Sequence, residues 1–348
     1  AIDLSVPKSP AFTALGLTPE SVVRPTSPRA LATSLLHGAD PRGNIQTGLA
    51  LETAPYLLYS GNNVTLEQYS NNYGVRFASR SQISFATAKG TNDEDKATRI
   101  ALGLFFTPWD RGDHRTDGVL LKCFKDRTGT VQNEAVKLRN EIAPLVASGS
   151  VEWPTKLEKG IGQLEKRAKE KADECRDEAR KRNWNASTWS IGAAPTWTAP
   201  KGNVGALDWS GVSLWTSISY GFEEIPGLQE NAQAILHARY RSHELAPVPN
   251  GTGTFFEQDT LTLAGQLRVP GFSFRKTTGG PDFSFLLESA YVKENRKTRP
   301  DEELFRYTAG LDYKIVDDLY LDVSVGTEDG RKDGGNRGFG MINLKWGF

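Results

Sequence analysis

Positively charged side chains recur at every second position of several short segments, which is the spacing that puts them on one face of a β-strand. Charged rings around a pore favour ions of the opposite sign, so a pore lined by this face would favour anions. The alternative is that these residues pair with carboxylates of the N-terminal segment and leave no conducting path. The residues that we expect to line a pore or to contact a plug are Arg76, Arg80, Arg99, His237, Arg239, Arg241, Arg268, Glu288, Arg306, Asp312, Lys314 and Lys345.

Catalytic chemistry finds little support in the residue types. The chain has 4 histidines, and His237 and His243 share one strand face but are separated by roughly 20 Å at the strand rise, too far to bind one metal. Cys123 and Cys175 lack the spacing of metal ligands, and the Gly-rich stretch at 333–338 precedes no helix. We therefore predict no catalytic residue, no metal ligand and no cofactor.

The segments that position these residues alternate between an apolar row and a small or polar row. In residues 261–269, for example, leucines and a valine alternate with Thr262, Gln266 and Arg268. A small and charged inner row indicates a wet interior, because the core of a β-sandwich needs apolar residues there. The sequence therefore predicts an all-β protein, an antiparallel transmembrane β-barrel. The alternating segments lie at 45–52, 73–87, 99–106, 189–197, 212–220, 236–243, 261–269, 283–291, 305–314, 319–325 and 340–348.

The last segment, residues 340–348, has an apolar row that ends on an aromatic residue. In this it resembles bacterial outer-membrane β-barrel proteins, whose final strand commonly ends in a Phe that the barrel-assembly machinery reads. The resemblance implies that Trp346 and Phe348 act as an assembly signal, and that the partners include this machinery and outer-membrane lipid. Bacterial single-chain barrels have even strand numbers, so we expect about twelve strands, in a range of roughly 10–14, with one uncounted strand at 54–72 or 114–125.

Residues 1–44 precede the first alternating segment and contain several prolines. One short helix is expected at 29–36, directly after Pro28. The segment is too long for a frayed terminus. It predicts either a plug inside the barrel, which comprises residues 45–348, or a periplasmic docking arm.

Residues 110–186 interrupt the alternation and predict a helical-hairpin insertion. The first helix is expected at 118–146 with a break at 128–130, and the second at 155–182. The second helix mixes acidic and basic residues around a narrow apolar stripe, as a solvated helix with paired charges does.

Two further expectations concern this insertion. Cys123 and Cys175 either form one disulfide, as an oxidising compartment allows, or stay as separate thiols. The exposed apolar stripe suggests that residues 132–182 dock a periplasmic or other envelope protein. Counting strands back from a periplasmic Phe348 places the insertion on the periplasmic side.

Composition narrows the function classes. Lys plus Arg and Asp plus Glu both number 42, so no net charge favours nucleic acid as a partner. No run of about 18 apolar residues is present, which excludes a transmembrane helix but not a barrel strand. The chain starts at Ala1, as expected of an exported protein whose signal peptide has been removed.

These features predict a protein of the bacterial outer membrane that is not an enzyme. It would serve as a channel or as the barrel component of a multi-protein envelope export or assembly complex, plugged or gated by its N-terminal segment. The alternatives are an outer-membrane hydrolase of the lipase or protease type, and a soluble β-rich binding protein. The last would require the apolar rows to meet a second sheet.

Overall fold

The computed structural model describes residues 3–18, 22–38, 44–60, 64–89, 97–199, 203–222, 232–247, 255–271, 282–297, 300–316, 319–330 and 337–346. The helices are α1 (Pro10–Leu15), α2 (Pro28–His37), α3 (Pro55–Ser60), α4 (Leu66–Asn71), α5 (Tyr73–Ser79), α6 (Gly118–Ala147) and α7 (Trp153–Asn183). The strands are β1 (Ala50–Thr53), β2 (Ser81–Lys89), β3 (Thr98–Asp110), β4 (Thr188–Ala199), β5 (Asp208–Gly221), β6 (Gln233–Pro247), β7 (Phe255–Pro270), β8 (Phe283–Arg296), β9 (Glu302–Val316), β10 (Leu319–Asp329) and β11 (Arg337–Trp346). A 3-10 helix, Val204–Ala206, lies between β4 and β5.

The 11 strands form one antiparallel sheet in which each strand pairs with its neighbours in sequence, from β1 at one edge to β11 at the other. Side chains of the same parity therefore share a face across the whole sheet, because antiparallel partners lie directly opposite each other. No pairing joins β1 to β11 among the described residues, so the sheet is not closed. The predicted all-β antiparallel class is confirmed, and closure into a barrel stays a prediction.

The strand count equals the number of alternating segments, and the expected twelfth strand is not found in the described part of the chain. Both stretches that left room for it are helical. Residues 54–72 contain α3 and α4, and residues 114–125 include the start of α6.

The strand predicted from Tyr73 is wrong over its first half, because α5 occupies Tyr73–Ser79. Asn72 caps this helix: its Oδ1 accepts a hydrogen bond from the Val75 N–H at 3.2 Å. Arg76 therefore lies on a helix, and Arg80 follows the helix end and donates from Nε to the Tyr69 hydroxyl at 3.0 Å. Neither arginine lies on a strand of the sheet.

A separate compact unit contains residues Arg111–Trp184, in which α6 and α7 pack as an antiparallel hairpin. The break expected at 128–130 is wrong, since α6 runs through it and the Thr130 hydroxyl donates to the Asp126 carbonyl at 3.2 Å. A single Gly costs a helix only about 1 kcal/mol, which packing against a partner helix readily offsets. Cys123 and Cys175 form a disulfide with a Cα–Cα distance of 5.9 Å, which is the first of the two expected alternatives.

Candidate functional site

The sheet buries most of its polar face and exposes its apolar face, the reverse of the usual arrangement in a sheet with one face in water. The polar face is the one that carries Ser84, His237 and Asp322; Asp322 is 1% exposed. The apolar face is the one that carries Leu236 and Val325, which are 64% and 63% exposed. Further exposed residues of this face are Leu102, Leu104, Leu214, Ile218, Leu263, Phe285, Leu287, Tyr307, Leu311, Val323, Ile342 and Leu344.

Aromatic side chains border the apolar face at both strand ends. Near one end, Phe283 of β8 lies against Tyr313 of β9 with ring centroids 4.6 Å apart. Near the other end, Tyr291 lies against Phe305 at 4.8 Å. The two rows are eight residue steps apart on β8, which is roughly 27 Å along a strand. We call them the two aromatic belts; in addition, Trp109, Trp189 and Tyr220 belong to the first belt, and Trp197 and Trp209 to the second.

The polar face holds the N-terminal segment, defined here as residues 3–17. Pro10 starts α1 at a position where its missing N–H costs nothing, and Gly16 ends the helix with a left-handed φ of 68°. Helix α1 packs against β2, β3, β4 and β5. The packing surface consists mainly of small residues that let the helix approach the sheet closely. The buried cluster comprises Val6, Ala11, Phe12, Ala14 and Leu15 with Ala50, Ala86, Ala88, Ala101, Ala194 and Trp215.

Two strand glycines permit this close approach. A Cβ atom on Gly103 would lie 2.4 Å from the Ala11 nitrogen and 2.2 Å from the Ser84 Oγ. A Cβ on Gly192 would lie 2.8 Å from Val6 Cγ1. Any larger residue at Gly103 would therefore push against the backbone of α1.

Hydrogen bonds from four strands fix the same segment. The Ser9 hydroxyl bonds to Glu52 of β1, and the Ala11 N–H donates to Ser84 Oγ of β2 at 3.1 Å. These two contacts hold the start of α1.

On the other side, Ser217 of β5 donates from Oγ to the Leu4 carbonyl at 2.7 Å, and Arg241 of β6 donates to the Ala14 carbonyl at 3.3 Å. Leu4 also packs in one cluster with Ala264 of β7 and Ala290 of β8. Strands from β1 to β8 thus all place side chains on one short segment.

The predicted lining residues divide between two parts of the polar face. Arg99, His237, Arg239 and Arg241 lie on β3 and β6, the part that holds the N-terminal segment. The other five lie on β7, β8 and β9. They are Arg268, Glu288, Arg306, Asp312 and Lys314. Of Lys345 and Trp346 only the backbone at the end of β11 is described, and Phe348 lies outside the described residues.

Charged residues on β7 to β10 pair mostly within the sheet. Arg268 contacts Asp312 at 3.1 Å, and Arg306 contacts Glu328 at 2.6 Å. Both of these carboxylate partners lie on strands of the sheet, and pairing of basic residues with carboxylates of residues 1–44 stays a prediction. Glu328 was not predicted, because the alternation is visible only to Val325 while β10 continues to Asp329.

The helical hairpin is fixed at its base by the disulfide and by Asp117. Asp117 Oδ1 accepts from the Val119 and Leu120 N–H groups at 3.0 and 3.1 Å, and its Oδ2 accepts from Arg182 and Asn183. Burial raises the pKa of the Asp117 carboxyl, but the hydrogen bonds from Leu120, Arg182 and Asn183 outweigh it and lower this pKa below its ordinary value. The ionised carboxylate therefore stabilises the start of α6.

Farther along the hairpin, an apolar cleft of about 480 Å³ opens between α6 and α7. It lies within the predicted docking range 132–182. Val146 and Ile161 on its wall are 49% and 44% exposed. The other apolar lining residues are Ala135, Leu138, Ile142, Ala143, Leu157 and Leu164.

In the described part of the chain, no three His, Cys, Asp or Glu side chains are grouped so that they could hold a metal ion. None of the described helices has the length and apolar character needed to cross a membrane. Comparison with protein-family models, curated proteins and solved structures found no match to this chain.

Proposed function

We propose that the protein is a β-barrel of the bacterial outer membrane, a channel plugged by its N-terminal segment. One observation carries the proposal: an exposed apolar face, bordered by two aromatic belts, backs a buried polar face. Outer-membrane barrels expose an apolar band about 25 Å tall between aromatic girdles. The distance between the belts, roughly 27 Å along a strand, shortens to roughly 20 Å along the membrane normal at a tilt of about 40°.

A bilayer requires the two sheet edges to be covered, because hydrocarbon cannot satisfy free backbone groups. At β1 the edge is already occupied: the Val23 N–H donates to the Ala50 carbonyl at 2.9 Å, and the Glu52 N–H donates to the Val23 carbonyl at 3.0 Å. Closure of the barrel would therefore require β11 to replace the Val23 segment at β1. The soluble alternative instead needs a second sheet over the apolar face, whereas the described residues form one sheet.

The N-terminal segment fits the role of a plug rather than a docking arm. It contacts strands β1 to β8 on the polar face, which would line the lumen. Its anchors are mostly single hydrogen bonds and small apolar contacts, each worth about 1 kcal/mol, so an applied force or a partner can remove it stepwise.

A second candidate function is the barrel component of an envelope export or assembly complex. The apolar cleft of the helical hairpin favours it, because an exposed apolar groove between helices suits an amphipathic partner segment. The hairpin joins β3 to β4 at the strand ends where β11 also ends. If that end is periplasmic, the partner that we expect at the cleft is a periplasmic protein.

Both functions require that the protein is inserted in a membrane, which detergent extraction and electrophoresis test. The protein should need detergent for extraction and should migrate differently before and after heating. Full solubility without detergent would refute both. Planar-bilayer recordings then test the plug, because deletion of residues 3–17 should raise the conductance, and an unchanged conductance would exclude a plugging role.

A further inference from the structure

The polar face carries its charges unevenly. On β3 to β6 the basic residues of this face are Arg99, Arg239 and Arg241, with His237 beside them. Two acidic residues of this face, Asp110 and Asp208, lie at strand ends. On β7 to β10 acidic residues outnumber basic ones on this face. The acidic residues there are Glu288, Glu294, Glu302, Asp312, Asp322 and Glu328, and the basic ones are Arg268, Arg296, Arg306 and Lys314.

The N-terminal segment divides the face along the same line. Its hydrogen bonds come from β1, β2, β5 and β6, and α1 packs on β2 to β5. Arg241 is one of the residues that hold it, at the Ala14 carbonyl. The segment therefore covers the basic part of the face. It reaches the border of the acid-rich part through Leu4, which packs with Ala264 of β7 and Ala290 of β8, and β9 and β10 lie beside it.

Buried oxygen atoms without a protein partner lie in the acid-rich part. They are Ser284 Oγ, Thr308 Oγ1, Asp312 Oδ1 and Ser324 Oγ. Each of these residues is less than a tenth exposed, with Ser284 at 0% and Asp312 at 7%. Buried polar atoms need a hydrogen-bond partner or a ligand, and oxygen acceptors of this kind suit water and hard cations.

The register aligns these groups along the strands. Asp312 lies opposite both Ser284 and Asp322, and Thr308 lies opposite Glu288. Gln266 of β7 lies beside Glu288 in the same row and donates a hydrogen bond to its carboxylate at 3.4 Å.

From Arg306 to Lys314 this strip follows β9 for eight residue steps, roughly 27 Å at the rise of an antiparallel strand. That length matches the distance between the two aromatic belts.

We infer that the polar face of β8 to β10 forms a hydrated path for small monovalent cations beside the N-terminal segment. The inference rests on the proposed membrane-barrel function. It differs from the expectation of anion preference because Arg99, Arg239 and Arg241 lie in the part that the N-terminal segment covers. Charged side chains near a pore axis set its selectivity. In the middle of this strip the three carboxylates of Glu288, Asp312 and Asp322 outnumber the one arginine, Arg268, which pairs with Asp312, while Lys314 lies at one end.

The test is the reversal potential of the full-length protein in a planar bilayer under a potassium chloride gradient. We expect preference for K⁺ over Cl⁻. Asp322→Asn and Glu288→Gln should each shift the reversal potential toward the chloride side. The matched control is Glu303→Gln, which removes a half-exposed carboxylate from the apolar face near the start of β9. It should leave the potential unchanged.

Deletion of residues 3–17 provides a second test, which does not require that a protein with a substitution at a buried carboxylate still folds. It uncovers Arg99, Arg239 and Arg241, so conductance should rise while cation preference falls. Chloride preference in the full-length protein would overturn the inference, and so would an unchanged potential in both carboxylate variants.

Failure of the inference can be told from failure of the proposed function. A silent full-length protein that conducts after the deletion would refute the path and leave the plugged channel intact. A protein that does not partition into membranes and never conducts would refute both.

Discussion

Replacement of Gly103 by Ala should release the N-terminal segment from the sheet. An added Cβ would meet the Ala11 nitrogen at 2.4 Å and the Pro10 carbonyl carbon at 3.1 Å, and these backbone atoms can move only if α1 moves. Overpacking of this kind costs about 1–3 kcal/mol, and loss of the hydrogen bond from Ala11 to Ser84 about 1 kcal/mol more. The equilibrium between bound and released segment should therefore shift roughly 30- to 1000-fold.

Hydrogen–deuterium exchange of residues 4–16 measures this release directly. Exchange should accelerate in Gly103→Ala, while the strands keep their protection. The matched control is Gly340→Ala on β11, where the nearest atom to an added Cβ, the Ser324 carbonyl oxygen, is 4.0 Å away. In a strand without close neighbours, Gly→Ala should instead stabilise by about 0.5–1 kcal/mol. Unchanged exchange in Gly103→Ala, or equal acceleration in both variants, would refute the docking geometry.

Three other predictions concern stability. Reduction of the Cys123–Cys175 bridge, which spans 52 residues, should destabilise the hairpin by up to about 4 kcal/mol, seen as a lower melting temperature of the helical circular-dichroism signal with the sheet unchanged. Because the pKa of Asp117 is lower in the folded protein, its contribution to hairpin stability is present above the pKa of the unfolded state and is lost as the pH falls through the pKa of the folded state. Asp117→Asn should remove this pH dependence from the acid unfolding curve of the hairpin. The same pH dependence in the variant and the native protein would contradict the prediction. Arg268→Ala should cost about 3–5 kcal/mol in urea unfolding because Asp312 is left buried without this partner, and Arg268→Ala with Asp312→Ala should recover part of the loss; additive effects would exclude coupling of the pair.

Most of the sheet could be predicted from the sequence because one face of each strand is uniform. From β3 to β11 the period of two is long enough that no helix could present the same apolar row. The exception was Tyr73–Ser79, where a short alternating stretch follows Asn72. The alternating stretch is too short for its periodicity to favour a strand over a helix. The hydrogen bond by which Asn72 caps the segment favours the helix.

The arrangement on the polar face could be predicted only in part. Ten of the twelve predicted lining residues lie on strands of the sheet, and their lining role stays a prediction. The placement of the N-terminal segment depends on contacts between distant parts of the chain, such as Ser217 with Leu4. The small residues Ala101 and Ala194 give no sign in the sequence of what packs on them. For that reason the sequence could not separate the covered basic part from the acid-rich part.

The central claim is that the apolar face meets lipid and the polar face does not. The most direct test is a scan of single cysteines through residues 261–268 of β7, labelled with a nitroxide in protein reconstituted into lipid bilayers. Both native cysteines are in the disulfide, so each introduced thiol is the only free one. We predict collisions with lipid-soluble oxygen that alternate with a period of two and peak at Leu261, Leu263 and Leu267. High accessibility of these positions to an aqueous nickel reagent, or no alternation, would contradict the claim.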